Sequence, residues 1–207
     1  PWALTKMQLL LNGLLLHRLE RADALDKPML FGERLSLLPA DVVLSRLPDQ
    51  ATPWDHQNAA HENYQRFPVA PPKDSRLALI WTMLATMKPV VGRMGVLMPA
   101  DCLDSREGMV LRRTLLERNW LDAIIKLPRP TRKTDAFHAV APALLLVRQQ
   151  RENDTVAIIT GQGKAGDTPL AIEKAFRDAK KNMITVNTTK NMSIPHEVEA
   201  KYAASWV

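Results

Sequence analysis

An α/β fold with a sheet that closes in an antiparallel hairpin is the architecture this sequence predicts, and its apolar pattern is the reason. Short apolar runs at 41–45, 92–98, 121–127, 141–147 and 156–159 have the length of buried strands. Between several of them, at 74–88 and 105–118, apolar residues recur at helical spacing. The runs at 121–127 and 141–147 are instead joined by a basic segment that reads as a loop between antiparallel strands. With 207 residues, 46% hydrophobic and 24% charged, the chain is long enough for one sizeable core and a tail. Residues 1–160 are expected to form the α/β domain and 161–207 a helical extension.

Composition excludes some function classes. The single Cys102 rules out an internal disulfide and a thiolate-built metal site, in keeping with a reducing cytoplasm. No apolar run approaches the roughly 18 residues a bilayer requires, and no leader pattern opens the sequence, so a cytoplasmic protein without membrane insertion is expected. A first residue of proline suggests a fragment, a processed chain or an unobserved start. The net charge of +6 favours polyanions such as nucleic acid, although many basic proteins bind none.

From Trp2 to about Asp23, Leu4, Met7, Leu10, Leu11, Leu14 and Leu15 share helical spacing, which predicts a helix lying on the sheet. Asp26-Lys27-Pro28 ends it, and Met29–Phe31 reads as a short strand leading to a Gly32-Glu33 turn. After the strand at 41–45, the segment 48–73 is rich in proline, histidine and charge without a clear period, so it is a long loop. Trp54, Tyr64, Arg66 and Phe67 offer that loop stacking faces and a cation for a nucleic-acid strand; the alternative is an irregular lid whose aromatics cover the sheet end. His56, His61 and Glu62 match no zinc spacing, and no metal is expected.

Asp74-Ser75 caps a helix running through Leu77, Ile80, Trp81, Leu84 and Met87 to Lys88, ended by Pro89. In the next helix Met109, Leu111, Leu115 and Leu116 are expected inward, Arg112 and Arg113 outward. Cys102, with no local cation, reads as a small buried thiol. Arg129, Arg132 and Lys133 form the densest basic stretch, read either as phosphate contacts or as a solvated turn. Asp135 and His138 have no serine or cysteine placed to complete a nucleophilic device, and Gly161-Gln-Gly163-Lys164 lacks phosphate-loop spacing.

The segments follow the order of a known family. The run Asp41 to Gln50, DVVLSRLPDQ, resembles the strand and loop that carry the Asp/Asn-Pro-Pro-aromatic motif of DNA adenine N6-methyltransferases, with Arg46-Leu47-Pro48-Asp49 in the motif's place. Ala3 to Gly13 is similar to the helix before the third strand in modification subunits of type I restriction systems, and Leu30 to Leu35 to their Gly-Asp-x-Leu turn. Leu84 to Pro89, Gly92 to Ala100, Leu111 to Glu117, Leu121 to Pro128 and Ala141 to Arg148 continue in that order, so the resemblance covers residues 1–160. It implies a Rossmann-like methyltransferase sheet, truncated on its N-terminal side, with helices on both faces. It also implies that Glu33 lies beside the adenine ring of S-adenosylmethionine, unless it is only a solvated turn residue.

The motif positions are degenerate. In the resembling enzymes the Asp/Asn side chain accepts the amine hydrogens of a flipped adenine and the aromatic stacks on it. Arg46 has five donors and no acceptor, and Asp49 has no ring. The Gly-rich loop and the acidic residue that hold S-adenosylmethionine in such enzymes would fall before Pro1. The expectation is therefore a non-catalytic domain that binds DNA or a partner subunit, with no cofactor bound unless the missing half is supplied. Two alternatives stand: an active methyltransferase subunit whose cofactor half lies upstream or in another chain, and an interaction scaffold without DNA contact. Loss of the family's first strand would leave the strand at 41–45 with an open edge, to be covered by Met29–Phe31, a second polypeptide or self-association.

Overall fold

The structure, a computed structural model, describes residues 2–19, 21, 23–25, 37–59, 66–127, 141–151 and 156–160. Within these, the order is α1 (Trp2–Leu11), β1 (Val42–Arg46), α2 (His56–Ala59), α3 (Ser75–Thr86), β2 (Arg93–Pro99), α4 (Ala100–Asp104), α5 (Arg106–Glu117), β3 (Leu121–Lys126), β4 (Pro142–Arg148) and β5 (Ala157–Thr160). The strands form one sheet in the order β1-β2-β4-β3-β5. β1 is parallel to β2 and β3 to β5, while β4 runs antiparallel to both β2 and β3. Each strand expected from an apolar run after residue 40 is present within a residue or two, including the hairpin.

One face of the sheet carries the main core. Met94, Val96 and Met98 of β2 and Ala143, Leu145 and Val147 of β4 point to that face, as the two-residue period of a strand requires. Leu77, Ile80, Trp81 and Leu84 of α3 pack onto them, together with Cys102 and Leu103 of α4 and Leu111 and Leu115 of α5. Capping sets the helix starts: the Asp74 side chain accepts from the Arg76 backbone N–H, and the Ser105 hydroxyl from that of Gly108. Ala123 and Ile125 of β3 and Ala157 of β5 form a smaller cluster.

Several expectations are corrected. The first helix stops at Leu11 rather than near Asp23, and none of its residues is buried, so it does not lie on the sheet. Its spacing gave it an apolar stripe, but the stripe meets no described surface: Leu4 is 68% exposed and Leu11 83%. In α5, Leu111 and Leu115 are inward as expected, Leu116 is half-buried, and Met109 faces out. Arg112, expected outward, is 1% exposed. Its stem fills the gap between α4 and α5, and its guanidinium donates to the Leu103 carbonyl, which closes α4, with Asp104 at 3.7 Å. Burial pushes its pKa down, partly offset by Asp104.

The Met29–Phe31 strand lies outside the described residues, as do 161–207. Among the described residues no strand pairs with β1 on the side away from β2. No described helix is long and apolar enough to cross a membrane.

Candidate functional site

Because β1 and β2 are parallel, their carboxyl ends deliver two loops to the same edge of the sheet. The loop after β1 begins at Leu47, which is 2% exposed and donates its N–H to the Leu97 carbonyl at 2.8 Å. That anchor fixes the motif positions. Arg46 ends β1 with an exposed side chain, Pro48 is exposed, and Asp49 is half-buried beside α3.

The first turn of α3 then straps the loop down. The Arg76 guanidinium donates from Nη1 to the Asp49 carbonyl at 2.9 Å and from Nη2 to Asp74 Oδ2 at 2.8 Å. Its Nε reaches Asp74 Oδ1 at 3.0 Å, and Asp101 in the first turn of α4 lies 3.6 Å from Nη1. The Thr52 N–H donates to the Ser75 hydroxyl at 2.9 Å, and the Trp54 indole Nε1 to the Pro72 carbonyl at 3.1 Å. The Lys73 and Asp74 N–H groups both donate to the Glu107 carboxylate at 3.1 Å.

The electrostatics follow from that packing. Burial tends to raise the Asp74 pKa, but the hydrogen bonds and charge of Arg76 outweigh it and hold the carboxyl below its ordinary range. Asp74 in turn raises the Arg76 pKa. Behind them, burial pushes the Cys102 thiol up to about 12, with Arg76 opposing and the nearby aspartates adding to the shift. It is a buried structural thiol, as expected.

Of the residues proposed for nucleic acid, Trp54 is half-buried and its ring centroid lies 5.8 Å from Phe67 and 6.3 Å from His56. Arg66 is not placed as an outward cation. It is 2% exposed, donates to the Ala24 and Leu25 carbonyls at 3.2 and 2.5 Å, and sits over the Phe67 ring at 4.9 Å. It ties the segment at 23–25 to α3 through Thr82. Glu33, Tyr64, Arg129, Arg132 and Lys133 lie outside the described residues. So do His61 and Glu62, and among the described residues no group of three His, Cys, Asp or Glu side chains converges as metal ligands would.

For S-adenosylmethionine the described residues are a poor fit. A sulfonium amino acid needs a glycine-lined turn after a strand so that backbone can approach it. The described glycines are elsewhere: Gly13 follows α1, Gly92 precedes β2, Gly95 is inside β2, and Gly108 is inside α5. The α3 clamp, by contrast, was missed from sequence. Asp74-Ser75 is legible as a cap, but nothing in the pattern says that Arg76 reaches back to a loop 27 positions earlier.

Comparisons with known proteins place the fold. The chain superimposes on the methyltransferase subunit of a type I restriction-modification system from Streptococcus thermophilus with a TM-score of 0.69 and 22% identity, covering 87% of this chain and 39% of that one. A modification subunit of a putative type I restriction enzyme from Vibrio vulnificus gives 0.66 and 18%, covering 89% and 40%. Among curated proteins, a small ribosomal subunit protein uS5c from Gracilaria tenuistipitata is 35% identical over 92 residues, 44% of this chain and 51% of that protein. The chain thus spans about half the length of that relative and less of the solved subunits. The ribosomal likeness stops short of half the chain, whereas the profile of the family described as N-6 DNA Methylase matches residues 1–205. A profile match over nearly the whole sequence shows the family: the chain belongs to the N-6 DNA methylase family.

Proposed function

We propose that this chain is a non-catalytic member of its family, a degenerate adenine-N6 methyltransferase domain related to type I modification subunits that acts by binding DNA or a partner subunit. The carrying observation is the chemistry at the end of β1. Arg46, exposed there, can only donate, so it cannot accept the amine hydrogens of an extruded adenine, and it opposes the positive charge that develops on that nitrogen. The half-buried Asp49 offers no ring to stack on the base, and its carbonyl is already engaged by Arg76. Loss of one preorganised polar contact in such a site commonly costs about 3 kcal/mol of transition-state stabilisation, and here the stacking ring is missing as well.

The placement of the described glycines, none of them in a turn after a strand, supports the same reading for the cofactor, that this chain alone does not hold S-adenosylmethionine. The net charge of +6 supports a polyanionic or acidic partner. The active alternative, in which another polypeptide supplies the cofactor half, differs in its outcome. Isothermal titration with S-adenosylmethionine is expected to give no heat, and transfer of labelled methyl groups to adenine duplexes none above background. A micromolar site together with transfer by the wild-type chain overturns the proposal. The double variant Arg46→Asn, Asp49→Phe restores the acceptor and the ring, and tests whether the rest of the scaffold is competent.

A further inference from the structure

Helix α3 is covered around nearly its whole circumference: between Ser75 and Thr86 only Ala85 is exposed. The sheet accounts for one side. On the other, Ser75 and Thr82 are both buried, and two turns of helix bring them onto one face about 10.5 Å apart. Each hydroxyl holds a different segment. Ser75 accepts the Thr52 N–H at 2.9 Å, in the loop that follows the motif positions, and Thr82 accepts from Arg66 Nη1 at 3.3 Å. Thr82 can do so because its own proton goes to the Ala78 carbonyl at 3.0 Å, which leaves it lone pairs to offer.

Arg66 joins those segments. Besides Thr82 it reaches the Ala24 carbonyl from Nη1 at 3.2 Å and the Leu25 carbonyl from Nη2 at 2.5 Å, and Leu25 is itself buried. Its planar head lies 4.9 Å over the Phe67 ring, and the Phe67 centroid is 5.8 Å from that of Trp54. Trp54 is fixed on its own account by the bond from Nε1 to the Pro72 carbonyl at 3.1 Å. Contacts therefore run without a gap from segment 23–25 through Arg66 and Phe67 to Trp54. A guanidinium only 2% exposed holds its place while acceptors surround it. If segment 23–25 lifts, two carbonyls leave with it and Arg66 is drawn toward water. Phe67 then loses the cation over its face, and Trp54 the ring it packs against.

We propose that Arg66 is a positioning residue that makes the docking of segment 23–25 on α3 and the seating of Trp54 one conformational unit, so that a disturbance at either end is felt at the other. Trp54 belongs to the loop that Arg76 straps down at Asp49, whereas Leu25 lies far from that loop in sequence and meets it through this one cation. Whatever stacks on the Trp54 ring or displaces it therefore changes how firmly residues 23–25 are held. By reciprocity, a partner that grips 23–25 stiffens the Trp54 ring. The link is a matter of packing and hydrogen bonding, and it holds whether the loop meets nucleic acid or protein.

Amide exchange followed by NMR on the full chain tests the link. One reporter is the Leu25 N–H, held by Asp23 Oδ1 at 2.8 Å; the others are the His56 and Ala59 N–H groups of α2, bonded to the Trp54 and Asp55 carbonyls. Trp54→Leu removes the ring and leaves Arg66 intact. Exchange at Leu25 is expected to rise about fivefold, while Val96 and Leu145 in the sheet keep their rates. Phe67→Leu takes away the intervening ring but keeps the carbonyl bonds of Arg66, so in that background the same Trp54→Leu change should move Leu25 by less than about twofold. From the other end, Arg66→Lys keeps the charge but not the planar fork that reaches two carbonyls and a hydroxyl, and exchange at His56 and Ala59 should rise about fivefold as well. Supports that act separately give a different pattern: Trp54→Leu then speeds α2 alone and Arg66→Lys speeds Leu25 alone, and either result overturns the link. Acceleration at Leu25 that Val96 and Leu145 share, or a Trp54→Leu effect of equal size with and without Phe67, overturns it too. None of these measurements involves methyl transfer or cofactor titration, so this proposal and the functional one fail separately.

Discussion

Arg76→Leu removes the clamp between α3 and the motif loop while keeping a side chain that the α3 surroundings tolerate. In the wild type the guanidinium makes charge-assisted bonds to Asp74 and to the Asp49 carbonyl, with the two side chains only 11% and 18% exposed. Charge-assisted hydrogen bonds of this kind contribute roughly 1.5–3 kcal/mol each, and the change also leaves a half-buried carboxylate without its cation. Because Asp74 keeps the backbone N–H of Arg76, the full cost is reduced, and about 3 kcal/mol is expected. For a chain of this size that is a fall in melting temperature of about 6–12 °C. The loss should be local as well as global: hydrogen exchange at Thr52, held by Ser75, should accelerate with the loop. The pH dependence has a definite sign. The folded pKa of Asp74 is depressed, so its contribution is fully present above the unfolded carboxylate range near 4 and is lost as pH falls through the lower folded value. The variant should therefore lose less stability than the wild type as pH falls below about 4 through the depressed folded value. A stability loss by urea unfolding of less than about 1 kcal/mol, or unchanged exchange at residues 47–54, would refute the clamp.

Other substitutions probe the surrounding scaffold. Gly108→Ala drives a Cβ onto the Cys102 carbonyl oxygen, with the Leu103 carbonyl oxygen at 2.8 Å, so α4 and α5 must separate; a loss of about 3 kcal/mol by urea unfolding is expected, and a neutral result refutes that packing. Val90 holds φ at +75°, a left-handed conformation that a β-branched residue adopts at a cost, so Val90→Asn should raise stability by about 1 kcal/mol in the same assay. Cys102, buried and with its thiol pushed up to about 12, should resist iodoacetamide at pH 8 in the folded chain and react once urea unfolds it. The exposed Arg113–Glu117 pair at 2.8 Å should be nearly silent, with Arg113→Ala changing stability by less than about 0.5 kcal/mol.

The sheet was legible because strand identity depends on short-range information. An apolar run such as LDAIIK or ALLLV is too short for a buried helix and has the length of a strand, so its identity needs nothing from the rest of the chain. Burial of particular cations was not legible, since it depends on what lies across the chain. Arg112 and Arg66 look like surface residues by type, yet each satisfies backbone carbonyls that only tertiary structure brings within reach. The first helix fails for the converse reason. Periodicity identifies the stripe of α1 that wants burial, but not a surface to bury it against, and the described residues offer none. In the site, the identities of Arg46 and Asp49 could be read directly from the motif positions, whereas the Arg76 clamp required the fold.

The direction in which Arg46 points follows from its pairing. A strand's last residue must point either toward the helical layer over the core or away from it, and pairing opposite Leu97 sends Arg46 away, into the row with Leu144. From there its charge cannot be satisfied by Asp74 or Asp101, the carboxylates of the clamp, which already hold Arg76 on the other side of the loop. An exposed arginine at a strand end is cheap in itself, and here Arg46 stands beside Leu97 and Leu144, both half-buried, on strands without a single acid. On the reading proposed above, the residue that leaves the motif without a hydrogen-bond acceptor is thus one whose side chain the β1–β2 pairing already turns away from the clamp, so the Arg46→Asn, Asp49→Phe variant tests the chemistry of the loop without disturbing the packing beneath it.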